Sequence, residues 1–191
     1  MIETEKLLKL GVFNTAEAEA HHISRQSLFN LVKSDRIRKI GPDVYCHPKL
    51  KLPEDKLQWI AACKIFGKDA YISGPSVLFT KNLVEQPPHA VWVITGPSKT
   101  TANTIFQIIR TKIDKNHGVE QHGWYRAATV ERAILDALHF KTKIGGAETG
   151  IISCRKAVRE GMTDLGRIMR LAKELGWQKK VLEFWEALSV E

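Results

Sequence analysis

Residues Thr15–Pro48 read TAEAEAHHISRQSLFNLVKSDRIRKIGPDVYCHP, and this stretch decides the fold. Thr15 is a hydroxyl residue placed to cap a short helix over Ala16–His22, and Ser24 is placed to cap a second over Arg25–Ser34. Between them His22-Ile23 leaves room only for a tight turn. In the second helix Leu28, Leu31 and Val32 fall at i, i+3, i+4 and share one apolar face. Two short extended runs follow, Arg36–Ile40 and Val44–His47, joined across Gly41-Pro42-Asp43. That pattern predicts a hairpin. Two helices, a tight turn and a basic hairpin predict a winged helix-turn-helix. Such a module seats the start of its second helix in the DNA major groove and lays its wing on the backbone.

The side chains suited to that task are Ser24, Arg25, Gln26, Ser27, Asn30 and Lys33 on the second helix, and Arg36, Arg38, Lys39 and Tyr45 on the hairpin. The amides of Gln26 and Asn30 can pair with adenine, and Arg25 can pair with guanine or hold a phosphate. Within a strand Arg36 and Arg38 point to one side, giving the convergent cations that phosphate neutralisation needs. The same residues also suit a solvated helix face and an edge strand protected by charge.

Working outward, Glu3–Leu10 reads as a first helix stopped by Gly11, and Val12-Phe13 lead into Thr15. Residues 1–50 are thus expected to be one domain, Lys49–Pro53 a linker, and residues 51–191 a second domain. In that second part Asp55–Phe66 is a helix with a stripe of Leu57, Ile60, Ala61 and Ile65. Ser73 is placed to cap a helix over Gly74–Leu83. Ala90–Thr95 and Thr104–Ile113 read as strands from their β-branched content, and Gly118–His122 and Trp124–Ala127 as two short extended runs. Thr129 caps a helix over Val130–Phe140. Helices over Ala147–Glu160, from Thr163 or Asp164 to Leu175, and over Trp177–Leu188 close the chain. The fold class is therefore α+β: an N-terminal winged helix-turn-helix, then a small β-sheet carrying several α-helices.

The 191 residues carry a formal charge of +8, which fits a polyanionic partner and fits a solvated basic surface equally. Arg155 with Arg159, and Arg167 with Arg170, share helix faces that suit a second DNA track or an acidic partner protein. Cys46, Cys63 and Cys154 are odd in number and widely spaced, suggesting neither zinc nor a disulfide framework. The mixed charge of the first residues does not read as a signal peptide, and no run approaches the ~20 apolar residues of a membrane span. A cytoplasmic protein with no membrane partner and no cofactor is expected. The loop Gly96-Pro97-Ser98-Lys99-Thr100-Thr101 lacks the glycines of a phosphate-binding loop. His21 and His22 are adjacent and make a poor metal pair. No GxSxG, HExxH or carboxylate pair occurs, so no catalytic residue is assigned and no enzyme is expected.

The order of four segments, GVFNTAEAEAHHISRQSLFNLVKSDRIRKIGPDVYCHP, YISGPSVLFTKNL, AVWVIT and YRAATVERAILDAL, resembles the AbiEi family of antitoxins and transcriptional regulators over most of the chain. The resemblance implies a type IV toxin–antitoxin system whose toxin is nucleotidyltransferase-like. It implies that the N-terminal domain represses its own promoter at inverted repeats and that the C-terminal domain neutralises the toxin, with or without a stable complex. The DNA-contact role carries over to Ser24–Lys33 and to the wing Arg36–Tyr45. Where the family has Gly-Val-Tyr in the second wing strand, this chain has Asp43-Val44-Tyr45, with Gly41 two residues earlier. An acid at the wing tip would repel phosphate. Two alternatives stay open: a stand-alone winged-helix regulator with a ligand-sensing or oligomerising C-terminal domain, and a nuclease with a winged-helix targeting domain.

Overall fold

The structure, a computed structural model, describes residues 7, 9–100, 103–112 and 116–189. The chain divides into two compact units, Met1–Lys68 and Asp69–Glu191.

The first unit runs β1 (Val12–Asn14), α1 (Thr15–Ala20), α2 (Arg25–Lys33), β2 (Arg38–Gly41), β3 (Val44–Cys46) and α3 (Glu54–Phe66). Most of the helix expected over Glu3–Leu10 lies outside the described residues; Leu7, Lys9 and Leu10 are helical. Val12 and Phe13 are more than a lead-in. They form a third strand, and the antiparallel sheet has the order β1-β3-β2. The cap of α1 is Asn14 rather than Thr15. Asn14 Oδ1 accepts the Glu17 N–H at 2.8 Å, and Glu17 Oε2 accepts the Asn14 N–H at 2.8 Å, a reciprocal box that satisfies two orphan donors. Thr15 sits one residue inside the helix, buried, and donates its hydroxyl to Asp43.

Both helices end alike. His22 (φ +63°) and Asp35 (φ +54°) take the left-handed conformation, and the next N–H reaches back to Ala18 O at 3.0 Å and to Leu31 O at 2.9 Å. These are Schellman turns built without glycine, at residue types that tolerate positive φ better than most. The core beneath gathers Leu7, Phe13, Ala18, Ile23, Leu28, Leu31 and Ile37.

Helix α3, expected in the second domain, packs on the sheet of the first. Small residues let it approach: a Cβ on Gly41 would stand 3.0 Å from Ala61 Cβ. Lys64 pairs with Glu17, and Arg38 with Glu54. Leu57, Trp59, Ile60, Ala61, Ala62, Cys63 and Phe66 are buried, so the helix is apolar around most of its circumference rather than along one stripe.

The second unit holds β4 (Tyr71–Ile72), α4 (Pro75–Thr80), β5 (Val91–Thr95), β6 (Phe106–Arg110), β7 (Val119–His122), β8 (Tyr125–Ala128), α5 (Val130–His139), α6 (Lys141–Ile144), α7 (Glu148–Arg159), α8 (Leu165–Glu174), α9 (Gln178–Leu182) and α10 (Trp185–Ser189). Its five strands are ordered β6-β5-β4-β8-β7, and β5 with β6 and β4 with β8 run parallel. Of the strand expected over Thr104–Ile113, Ile113 lies outside the described residues. Helix α5 is the hub, packed by α4, α7, α8 and α9 and capped by Thr129 as expected. Ser73 is not a cap; α4 starts after Gly74, and the Ser73 hydroxyl turns to Asp136. The single helix expected over Trp177–Leu188 is two, broken at Glu183-Phe184. Val181 and Leu188 are buried, while Leu182 and Trp185 are exposed. The fold is mixed α and β with two sheets. No helix among the described residues is long and apolar enough to cross a membrane.

Candidate nucleic-acid interface

Helix α2 starts at Ser24, whose Oγ accepts the Ser27 N–H at 3.1 Å. That bond occupies Ser24 and orients the first turn. Leu28 and Leu31 are buried, with Val32 half-buried beside them. At 100° per residue the opposite arc runs Arg25, Phe29, Lys33, Gln26, Asn30, and all five are exposed. Four of these are sequence candidates; of the other two, Ser24 is the cap and Ser27 is half-buried at the edge. Arg25 Nε meets Glu19 of α1 at 3.2 Å, both exposed. The Gln26 amide faces Asn30 Oδ1 at 3.5 Å.

The hairpin differs from the expectation in three ways. Arg36 precedes β2, because the N–H groups of Arg36 and Ile37 are still bonded to Leu31 O at 2.9 and 3.3 Å while the chain leaves α2. Strand alternation therefore does not set Arg36 beside Arg38. The Arg38 guanidinium is engaged by Glu54, whose hydrogen bond and charge raise its pKa further. Tyr45 is half-buried, its ring stacked on Phe13 at 5.9 Å, so it serves the core. Arg36 and Lys39 remain as exposed cations. The acid at the hairpin tip, Asp43, has φ +57° and accepts the Thr15 hydroxyl at the first turn of α1, a favourable place for a carboxylate.

Phe29, an apolar residue, is not among the polar candidates of α2. It falls outside the i, i+3, i+4 apolar set and is 62% exposed, more than any other large hydrophobic residue described.

In the second unit Arg155, Arg159, Arg167 and Arg170 are exposed on α7 and α8. Arg155 Nε donates to Ala187 O at 2.6 Å, and Arg167 pairs with Asp164 at 3.3 Å, so two of the four are already held within the unit. A cleft of about 460 Å³ lies between α4, the segment after it and α7, lined by Pro75, Leu83, Gln86, Thr149 and Ile152 among others.

The polar centre of this unit is closed to solvent. Arg132 and Asp136 lie on α5, 0% and 1% exposed. Arg132 Nε donates to Asp136 Oδ1 at 2.9 Å, and its two other nitrogens donate to His117 O at 2.6 Å and Tyr71 Oη at 2.7 Å. Asp136 Oδ2 accepts from Ser73 at 2.6 Å and Tyr71 at 3.1 Å. Burial pushes the Asp136 carboxyl above its ordinary value, opposed by Arg132 and then Ser73. The guanidinium also lies over the rings of Tyr71 and Trp177, at 5.3 and 5.1 Å. These partners are all internal to the unit, and the network ties β4 to α5. Glu131, on the other side of the helix, accepts the Thr163 hydroxyl at 2.7 Å.

Among the described residues no three His, Cys, Asp or Glu side chains gather where they could hold a metal ion. No protein-family model matches the chain, and neither does any curated protein.

Proposed function

We propose that the first unit is a winged helix-turn-helix that binds double-stranded DNA, with α2 in the major groove and the β2–β3 hairpin on the backbone. The exposed arc Arg25–Phe29–Lys33–Gln26–Asn30, on a capped helix followed by Arg36 in the link to β2 and Lys39 in the hairpin, carries this reading. Cations and amides on one rigid face are what base-edge and phosphate contacts need. The AbiEi resemblance extends the proposal: the chain is a bacterial antitoxin that represses its own operon at inverted repeats and neutralises a nucleotidyltransferase-like toxin through its second unit. The protein is not an enzyme in this reading and acts in the cytoplasm.

Mobility-shift titration against the DNA upstream of its own gene tests the first part. Binding must exceed that to scrambled DNA and weaken steeply with salt. Co-expression with the neighbouring toxin tests the second. A chain lacking residues 1–68 keeps neutralising and loses repression; loss of neutralisation by that fragment, still folded, contradicts the division of labour.

The cleft lined by Pro75, Leu83, Gln86, Thr149 and Ile152 favours one alternative, a stand-alone regulator whose second unit senses a small molecule. Absence of a toxin gene beside this one, with a ligand that shifts DNA affinity, would select it.

A further inference from the structure

We infer that Phe29 reads the 5-methyl group of thymine, in an A·T pair whose adenine is read by Gln26 or Asn30. This rests on the DNA-binding reading above. An exposed aromatic side chain alone is ordinary. The surroundings of this one are not those of a protein-docking patch. Its helix neighbours at i−4 and i+4 are Arg25 and Lys33, and at i−3 Gln26, all exposed. On the helix wheel the ring lies about 40° from both Arg25 and Lys33 and about 60° from Gln26. It therefore stands within the exposed face of the helix, between Arg25 and Lys33. Arg36 and Lys39 add exposed cations nearby, while Arg25 and Arg38 are paired with Glu19 and Glu54.

A partner for this face must be polyanionic and must present an isolated apolar group between polar ones. The major groove of duplex DNA does both, and the thymine methyl is the apolar group it displays. One A·T pair shows that methyl on one side and the adenine N6/N7 edge on the other. A ring and an amide on adjacent rows of one helix can meet both.

The test uses the full-length protein. A duplex is selected from a random-sequence pool by the wild type, then resynthesised with deoxyuridine for thymidine, which removes only the methyl groups. Wild type is expected to bind the uracil duplex about fourfold more weakly for each methyl contacted. Phe29→Ala, whose melting temperature stays at the wild-type value, is expected to bind both duplexes equally. Phe29→Leu, keeping an apolar tip, retains part of the discrimination. Equal wild-type affinity for the two duplexes overturns the inference while leaving DNA binding standing, as does undiminished discrimination by Phe29→Ala. Failure to enrich any sequence, with no salt-sensitive binding, overturns the DNA reading itself.

Discussion

On the first unit Lys33, Arg36 and Lys39 stand in solvent around a helix and hairpin, whereas Arg132 of the second unit is sealed between Tyr71 and Trp177 with Asp136 as counter-ion. Both regions place a basic side chain on a helix, Lys33 on α2 and Arg132 on α5. Their surroundings separate them. A cation in water costs little to keep and little to remove, and its charge is available to a partner. A cation with no solvent is bound into the fold, and its loss leaves another charge without a partner.

The largest effect is expected at Asp136. Asp136→Ala strands a buried guanidinium and is expected to cost about 3–5 kcal/mol of stability, read by denaturant unfolding. Replacing both ends, Arg132→Met with Asp136→Leu, is expected to cost much less. A small loss from the single change would mean that the pair does not organise the unit.

The exposed set is expected to behave oppositely. Arg36→Ala with Lys39→Ala leaves unfolding unchanged but flattens the salt dependence of DNA binding by about two units, near 0.9 per phosphate contact. An unchanged slope removes the hairpin from the interface. Glu54→Gln releases Arg38 and is expected to raise DNA affinity by roughly threefold at low salt. Lower affinity would show that the Arg38–Glu54 pair positions the hairpin.

A smaller effect is expected from pH. His139 stacks on Trp177 at 4.0 Å, its Nδ1 is buried with no hydrogen-bond partner among the described residues, and burial, then Lys180 and Arg132, lower its pKa. The fold thus favours the neutral ring, and the unfolded chain takes up the proton first. Stability is full above about pH 6.5 and is lost as pH falls from there through the depressed value. His139→Phe is expected to flatten that part of a melting-temperature profile; an unaltered profile assigns the acid limb elsewhere. Least of all, Arg159→Ala and Arg170→Ala are expected to change stability by no more than about 0.5 kcal/mol, measured by thermal melts.

What the sequence made legible follows from which signals are local. The Ser24 cap, the Leu28/Leu31 face, the Thr129 cap and the apolar run of β5 depend on residues a few positions apart, and all are present in the fold. One local choice was read wrongly: Asn14 and Thr15 are both capping residues, and Glu17, three residues after Asn14, decided between them. Long-range choices were not legible. The boundary expected after residue 50 moved beyond Lys68 because Gly41 and Ala61, distant in sequence, let α3 settle on the sheet. A cut at residue 50 would strip that cover, so truncations belong after Lys68. In the candidate interface, the α2 arc was legible from periodicity. The engagement of Arg38 and the inward turn of Tyr45 depend on tertiary neighbours.

The central claim is that the exposed basic face of the first unit reads DNA. A mobility-shift titration of the full-length protein on the DNA upstream of its own gene, against a scrambled competitor and across a salt series, tests it most directly. The account predicts preferential binding whose affinity falls steeply with salt, and a shallower fall for the Arg36/Lys39 double variant. Binding no better than to scrambled DNA, with the same slope for the variant, would contradict it.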